Sequence, residues 1–145
     1  MKLTLAQLNT TVVDFEGNLA QIAAACDRAR ARGDDLVLTP ELALTGYPPL
    51  DLLERTETTQ AAVDLLPRLA ECSRGLVLVA GVALPAGFGA SGPVLRPAVN
   101  AAIVFEDGRY VATVRKRLLP TYDVFDEDRY FQPGGAAQVL HLRGR

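Results

Sequence analysis

Leu36-Val-Leu-Thr-Pro-Glu41 is the stretch on which the fold turns. Its first residues form a short apolar run with no alternation of polar and apolar side chains. That is the mark of a strand buried on both faces, not of one lying against water. Pro40 ends the strand, because proline has no N–H to give to a ladder. A strand buried on both faces needs other layers over it, and the residues on either side supply them. Upstream, Leu19, Ile22, Ala23 and Cys26 recur at helical spacing, with Asn18 the expected N-cap. Arg28, Arg30 and Arg32 crowd the last turns, where cations oppose the helix dipole, and Gly33 is the expected stop. Before this helix, Leu3-Thr-Leu-Ala-Gln-Leu8 alternates and predicts a strand, followed by the turn formers Asn9, Asp14 and Gly17.

Downstream, Gly46-Tyr-Pro-Pro49 predicts a rigid loop. Residues 56–74 predict a helix with Ala61, Ala62, Leu65, Leu66 and Leu69 inward; Pro67 should kink it or break it in two, and Gly75 should close it. Leu76-Val-Leu-Val-Ala-Gly-Val-Ala-Leu84 predicts a second buried strand, and residues 85–98, rich in Gly, Pro, Ala and Ser, a loop. Asp107-Gly108, between Asn100–Phe105 and Arg109–Val114, is a strong two-residue hairpin signal. Val139–Leu142 is a last strand candidate. Buried strands separated by helices imply an α/β fold, and the absence of a repeat or a Pro/Ser-rich linker implies one unit.

The bulk properties exclude several classes of function. The 145 residues suffice for one domain with a core. With 49% apolar and 22% charged residues the chain is not disordered. A formal charge of −2 argues against a nucleic-acid partner, since phosphate binding needs clustered excess cations. No apolar run approaches a bilayer span, so no membrane is expected, and the N-terminus lacks a signal-peptide pattern. Cys26 and Cys72 make no disulfide framework, which implies a reducing, cytoplasmic location.

Few residues could carry chemistry. Glu41 follows a buried strand at its C-terminal end, where side chains of α/β folds line sites, although a solvated loop carboxylate is the plainer reading of that position. Lys116 leaves the hairpin's second strand. Alternation puts it on the face of Val114, with Arg115 and Arg117 on the other. The plainer reading is a basic surface cluster with Arg115 and Arg117; if Val114 points to the core, so does Lys116, and a buried lysine demands a carboxylate, which Glu41 or Glu127 could supply. Cys26 and Cys72 read as small buried hydrophobes, and His141 as a structural residue in an apolar strand. One histidine and two scattered cysteines make no convincing zinc site. Gly87-Phe-Gly89 and Gly134-Gly135 lack the strand-to-helix setting of a dinucleotide fingerprint.

Ala6-Gln-Leu8, Asn18, the run Pro40-Glu-Leu-Ala-Leu-Thr-Gly-Tyr-Pro-Pro-Leu-Asp-Leu-Leu53 and the segment Arg115–Gly134 together resemble the nitrilase, or carbon–nitrogen hydrolase, superfamily. Leu119-Pro-Thr-Tyr-Asp-Val-Phe-Asp-Glu-Asp-Arg-Tyr-Phe-Gln-Pro-Gly134 resembles in particular the glutaminase domain of glutamine-dependent NAD+ synthetases. The resemblance runs from Leu3 to about Leu142. It implies a four-layer αββα sandwich whose active site uses Glu, Lys and Cys. Glu41 then matches the general base and Lys116 the lysine that stabilises the tetrahedral oxyanion. Glu127, in the spacing Glu-x-x-x-Phe-x-x-Gly to Phe131 and Gly134, matches the second glutamate, which orients the lysine and the substrate. Tyr47, Tyr122 and Phe125 match positions lining the glutamine pocket.

The resemblance also implies the partners: glutamine as substrate, a synthetase domain that uses ATP and Mg to amidate deamido-NAD+, and a homo-oligomer of the parent. This chain departs from the pattern in one respect. The family's cysteine comes after the lysine, in a motif close to Cys-Glu-Asp, whereas both cysteines here precede Lys116. Residues 1–145 are therefore expected to be the N-terminal portion of the sandwich, incomplete at the C-terminus, with no cofactor of their own and no activity alone. The competing expectations are a fragment of a stand-alone amidase or nitrilase and a non-catalytic, truncated fold fragment.

Overall fold

A computed structural model describes residues 1–89 and 92–144. The elements are β1 (Leu3–Leu5), α1 (Phe15–Ala31), β2 (Leu36–Leu38), a 3₁₀ helix (Leu50–Glu54), α2 (Thr56–Asp64), α3 (Leu66–Cys72), β3 (Val77–Pro85), β4 (Ala98–Glu106), β5 (Arg109–Arg115) and α4 (Glu127–Tyr130). The strands form one five-stranded sheet in the order β1-β2-β3-β4-β5. β1, β2 and β3 run parallel, and β3, β4 and β5 antiparallel.

One face of the sheet is covered by helices. Val37, Leu78, Ala80, Val82, Leu84, Ile103 and Phe105 pack there with Leu19, Ile22 and Cys26 of α1 and with Ala62 and Leu69 of α2 and α3. The opposite face is covered in two places. Leu140 and Leu142 lie over Leu36, Val77 and Val104. Leu42 and Leu53, together with Tyr130 and Phe131, lie over Ala83 and Ala98. Leu3, Leu5 and Leu38 remain exposed. The chain is thus α/β, with one sheet and one helical layer fully built.

Local chemistry explains most boundaries. The helix expected over 56–74 breaks at Leu65, and Pro67 falls in the first turn of α3, where its missing N–H leaves no bond unmade. Gly33 and Gly75 take φ of +68° and +76° just past helix ends, as C-terminal glycines do. Asp107 and Gly108 both have positive φ, 48° and 78°, which the two-residue hairpin turn requires.

Four expectations are corrected. Asn18 is not the N-cap of α1. Asp14 is, and its carboxylate accepts from Gly17 N at 3.1 Å. Asn18 instead lies buried one turn inside, its Oδ1 accepting from Thr11 N at 2.9 Å and its Nδ2 donating to Thr11 O (2.7 Å) and Leu44 O (3.1 Å). It ties two loops to the helix. β1 stops at Leu5, not Leu8. Of the residues expected inward on α2 and α3, Ala62 and Leu69 are buried, whereas Ala61, Leu65 and Leu66 are only partly so. Val139–Leu142 is irregular: Leu140 and Leu142 pack on the sheet without joining it, and His141 projects outward from this loop.

Candidate active site

Three separate elements deliver the charged residues singled out in the sequence. Glu41 sits in the turn after β2, which passes directly over β3. A Cβ on Gly81 would lie 2.3 Å from Pro40 O and 2.6 Å from Leu42 N, so only glycine permits this crossing. Thr39 Oγ1 accepts from Gly81 N (3.1 Å), and Leu44 N donates to Gly81 O (3.0 Å), fixing both ends of the turn.

Lys116 follows β5. Its N–H donates to Asn100 O and its carbonyl accepts from Gly134 N, each at 2.8 Å. The spacing Glu-x-x-x-Phe-x-x-Gly has a mechanical meaning here. Phe131 N donates to Glu127 O (2.9 Å), the next residue's N–H donates to Ala98 O (2.8 Å), and Gly134 lies so close to Arg115 that a Cβ would meet its carbonyl at 2.5 Å. The motif therefore stitches α4, which begins with Glu127, onto the edge that carries Lys116. At its other end α4 is held to the 3₁₀ helix: Tyr130 donates to Asp51 at 2.5 Å, and Arg129 stands 3.4 Å from both Asp51 and Glu54.

The side chains converge. Lys116 Nζ donates to Glu41 Oε1 at 2.7 Å and to Glu127 Oε1 at 2.9 Å. Glu127 Oε2 is also 2.8 Å from Nζ, as an ion-pair contact, and has no hydrogen-bond partner among the described residues. Glu127 is buried, 6% exposed. One ammonium thus faces two carboxyl groups. Burial pulls the Lys116 amine down, but its hydrogen bonds to Glu127 and Glu41 and their charges outweigh that, so it holds its proton above the ordinary lysine range. The Tyr47 phenol is pushed up, first by burial and then by the charges of Glu127 and Glu41.

Two depressions flank the cluster. One, of about 420 Å³, lies on the sheet face away from the helices and is lined by Glu41, Lys116, Asn100, Val114, Gly81 and Val79. Val114 and Lys116 thus share a face as alternation predicts, but it is the face of this depression and not the helix-covered core. The other, of about 380 Å³, is lined by Tyr47, Pro48, Leu53, Phe125, Glu127 and Phe131. Tyr47 and Phe125 are therefore wall residues. Tyr122 is not: it is 70% exposed and stands edge-on to Phe125, with ring centroids 5.9 Å apart.

Asn100, which the sequence reading passed over, is part of the cluster. It is 4% exposed, and its Nδ2 donates to Glu41 Oε1 at 2.6 Å. The available sign was an amide within the apolar run of β4, since a buried amide must find partners. Neither cysteine lines either depression. Cys26 lies in the helix-side core, where burial first and the neighbouring Cys72 second push its thiol up to about 12, and burial also raises Cys72. Among the described residues no group of His, Cys, Asp and Glu is arranged to hold a metal ion, and no helix is long and apolar enough to cross a membrane.

The arrangement offers a carboxylate able to take a proton and a fixed ammonium able to receive developing negative charge on oxygen. Known proteins share its frame. The chain is 45% identical over 142 residues to the glutamine-dependent NAD(+) synthetase of Thermotoga maritima, covering 98% of this chain and 23% of that protein. Among solved structures, the glutamine-dependent NAD+ synthetase from Acinetobacter baumannii superposes with a TM-score of 0.80 at 30% identity, covering 98% of this chain and 26% of that one. The amidase from Nesterenkonia sp. AN1, seen with acrylamide added at its active site cysteine, superposes with a TM-score of 0.77 at 28% identity, covering 100% of this chain and 54% of that one. The chain thus spans about a quarter of the length of the synthetases it matches. Residues 2–144 match the carbon-nitrogen hydrolase family, and with the α/β frame and these relatives the chain belongs to that family.

Proposed function

We propose that this chain is the part of a glutamine-hydrolysing domain that carries the base and the oxyanion-stabilising lysine, within a glutamine-dependent NAD+ synthetase. The observation that carries the reading is the position of Lys116 Nζ, between Glu41 Oε1 and Glu127 Oε1 at the junction of two depressions. In this reading Glu41 takes the proton of an attacking thiol. Lys116 faces the amide oxygen as it becomes negative, a placement that lowers such barriers by about 3–4 kcal/mol. Glu127 keeps the ammonium in register and borders the substrate. Tyr47 and Phe125 wall the amide-bearing chain by packing, and Tyr122 stands beside Phe125 at the rim.

The thiol itself comes from a segment beyond these 145 residues, because Cys26 and Cys72 lie away from both depressions. The ammonia released passes to a synthetase domain, where ATP and Mg support amidation of deamido-NAD+. The parent works in the cytoplasm as a homo-oligomer, and the isolated chain is inactive.

The test is an assay of glutamine hydrolysis by the 145-residue chain and by the parent protein. Glutamate release by the parent, its loss on Glu41→Ala, and none from the short chain are the expected results. A parent that hydrolyses other amides but not glutamine would point to the stand-alone amidase instead.

A further inference from the structure

Glu41 rides on a turn, and its own strand ends at Leu38. Among the described residues, no group of its own turn hydrogen-bonds its carboxylate. Asn100 comes from the middle of the sheet, on the face away from the helices, in register with Ala83 of β3. Its Nδ2 reaches Glu41 Oε1 at 2.6 Å, across 59 residues of sequence. Its carbonyl accepts the Lys116 N–H at 2.8 Å. One buried residue therefore touches both halves of the pair, the acid through its side chain and the lysine through its backbone.

We propose that Asn100 is a positioning residue: with the Lys116 ammonium it occupies Oε1 of Glu41, and so leaves Oε2 as the oxygen that exchanges protons. This rests on the amide-hydrolysis reading above. Among the described residues both donors to the Glu41 carboxylate converge on Oε1, the ammonium at 2.7 Å and the amide at 2.6 Å. With both donors on Oε1, the described residues place no hydrogen-bond donor on Oε2. An amide suits this task. Its N–H pair can only donate, carries no charge, and does not titrate. A carboxylate in its place would oppose the charge of Glu41, and an alanine would leave the Glu41 carboxylate held by Lys116 alone. Because a base misplaced by a fraction of its reach loses much of its effect, the contribution should appear in turnover, not in substrate binding.

The experiment uses two variants of the parent protein, Asn100→Ala and the near-isosteric Asn100→Asp. Both should lower kcat for glutamine hydrolysis by about 100-fold with KM little changed. Asn100→Asp should be no better than Asn100→Ala, although it preserves the volume. A residue that merely fills space predicts the reverse order, and wild-type turnover in either variant, or an Asp variant clearly better than the Ala variant, overturns the proposal. A second measurement does not depend on activity or on the fold of those variants. In the parent protein the side-chain amide protons of Asn100 should exchange slowly with solvent and lose that protection in Glu41→Ala; fast exchange in the unmodified protein overturns the proposal equally. A parent with no glutaminase activity refutes the substrate reading alone, and the exchange measurement then decides Asn100 by itself.

Discussion

Lys116 Nζ and Glu41 Oε1 lie 2.7 Å apart although 75 residues separate them in the chain. Only the folded sheet brings them together, and Glu127 completes the cluster from the far side. Removing the ammonium leaves two carboxylates facing each other, one of them buried. Lys116→Met, which keeps the stem and deletes the charge, should destabilise the chain by roughly 1–3 kcal/mol. Adding Glu127→Gln should recover part of that loss, because the buried charge is then gone. Denaturant unfolding of the single and double variants checks this, and a double variant weaker than the sum of the two single changes would show that Lys116 does not neutralise Glu127.

The same pair sets a pH dependence. The Lys116 pKa is raised above its ordinary 10.5 in the folded state, because its bonds to Glu127 and Glu41 outweigh the opposing effect of burial. The folded chain therefore binds that proton more tightly than the unfolded chain does. The stabilisation from this group is fully present below pH 10.5 and is lost as pH rises through the folded-state value. The stability gap between wild type and Lys116→Met should stay constant from neutral pH up to about 10 and narrow above it. A gap that widens with rising pH would contradict the assignment.

Gly81 should be as sensitive as the charged residues, though it carries no chemistry. Gly81→Ala forces a Cβ to 2.3 Å from Pro40 O, against backbone that cannot yield without moving Glu41. A cost of about 1–3 kcal/mol follows from overpacking. Glutamine hydrolysis by the parent should fall further than stability does, because the displaced segment is the one that holds the base. A melting scan beside a turnover assay separates the two effects.

The parts of this architecture that are local in sequence were legible there. An apolar run ended by Pro40, a proline inside a helical pattern and an Asp-Gly pair each have one structural outcome, and β2, the α2–α3 break and the hairpin follow them. Alternation put Lys116 on the face of Val114, but did not tell which face of the sheet that is or which carboxylate the lysine meets. What was hidden depends on which strands neighbour one another. Asn100 meets Glu41 only because β4 pairs with β3, beside which the turn after β2 passes. Val139–Leu142 has strand-like composition, but its apolar side chains are satisfied by packing flat on Val77 and Val104, without a ladder. Tyr122 looked like a pocket residue by resemblance, and in this chain its ring lies outside the wall that Phe125 forms.

The two thiols should differ from a catalytic one. Cys26 is fully buried with its pKa pushed up to about 12, and Cys72 is partly buried and also raised. Titration of the native chain with an aromatic disulfide at mildly alkaline pH should leave Cys26 unmodified and label Cys72 only slowly, with both reacting after denaturation. Rapid native labelling of Cys26 would show that the helix-side core is open.

Asn18 and Asp14 allow a direct comparison of what capping and loop-tying contribute. Asp14 is exposed in its capping role, and its carboxylate satisfies one helix N–H, that of Gly17. Replacing it by alanine should cost about 1 kcal/mol, since water can take over that donor. Asn18 is fully buried and satisfies Thr11 N, Thr11 O and Leu44 O. Water has no ready access to those groups, so Asn18→Ala leaves them without partners and should cost roughly 2–4 kcal/mol. The loss should reach the site as well, because Leu44 belongs to the segment that carries Glu41 and donates to Gly81 O. Denaturant midpoints for the two variants decide the order. If Asp14→Ala proves the more damaging, helix initiation and not the tie between α1 and the Glu41 turn holds this end of the chain.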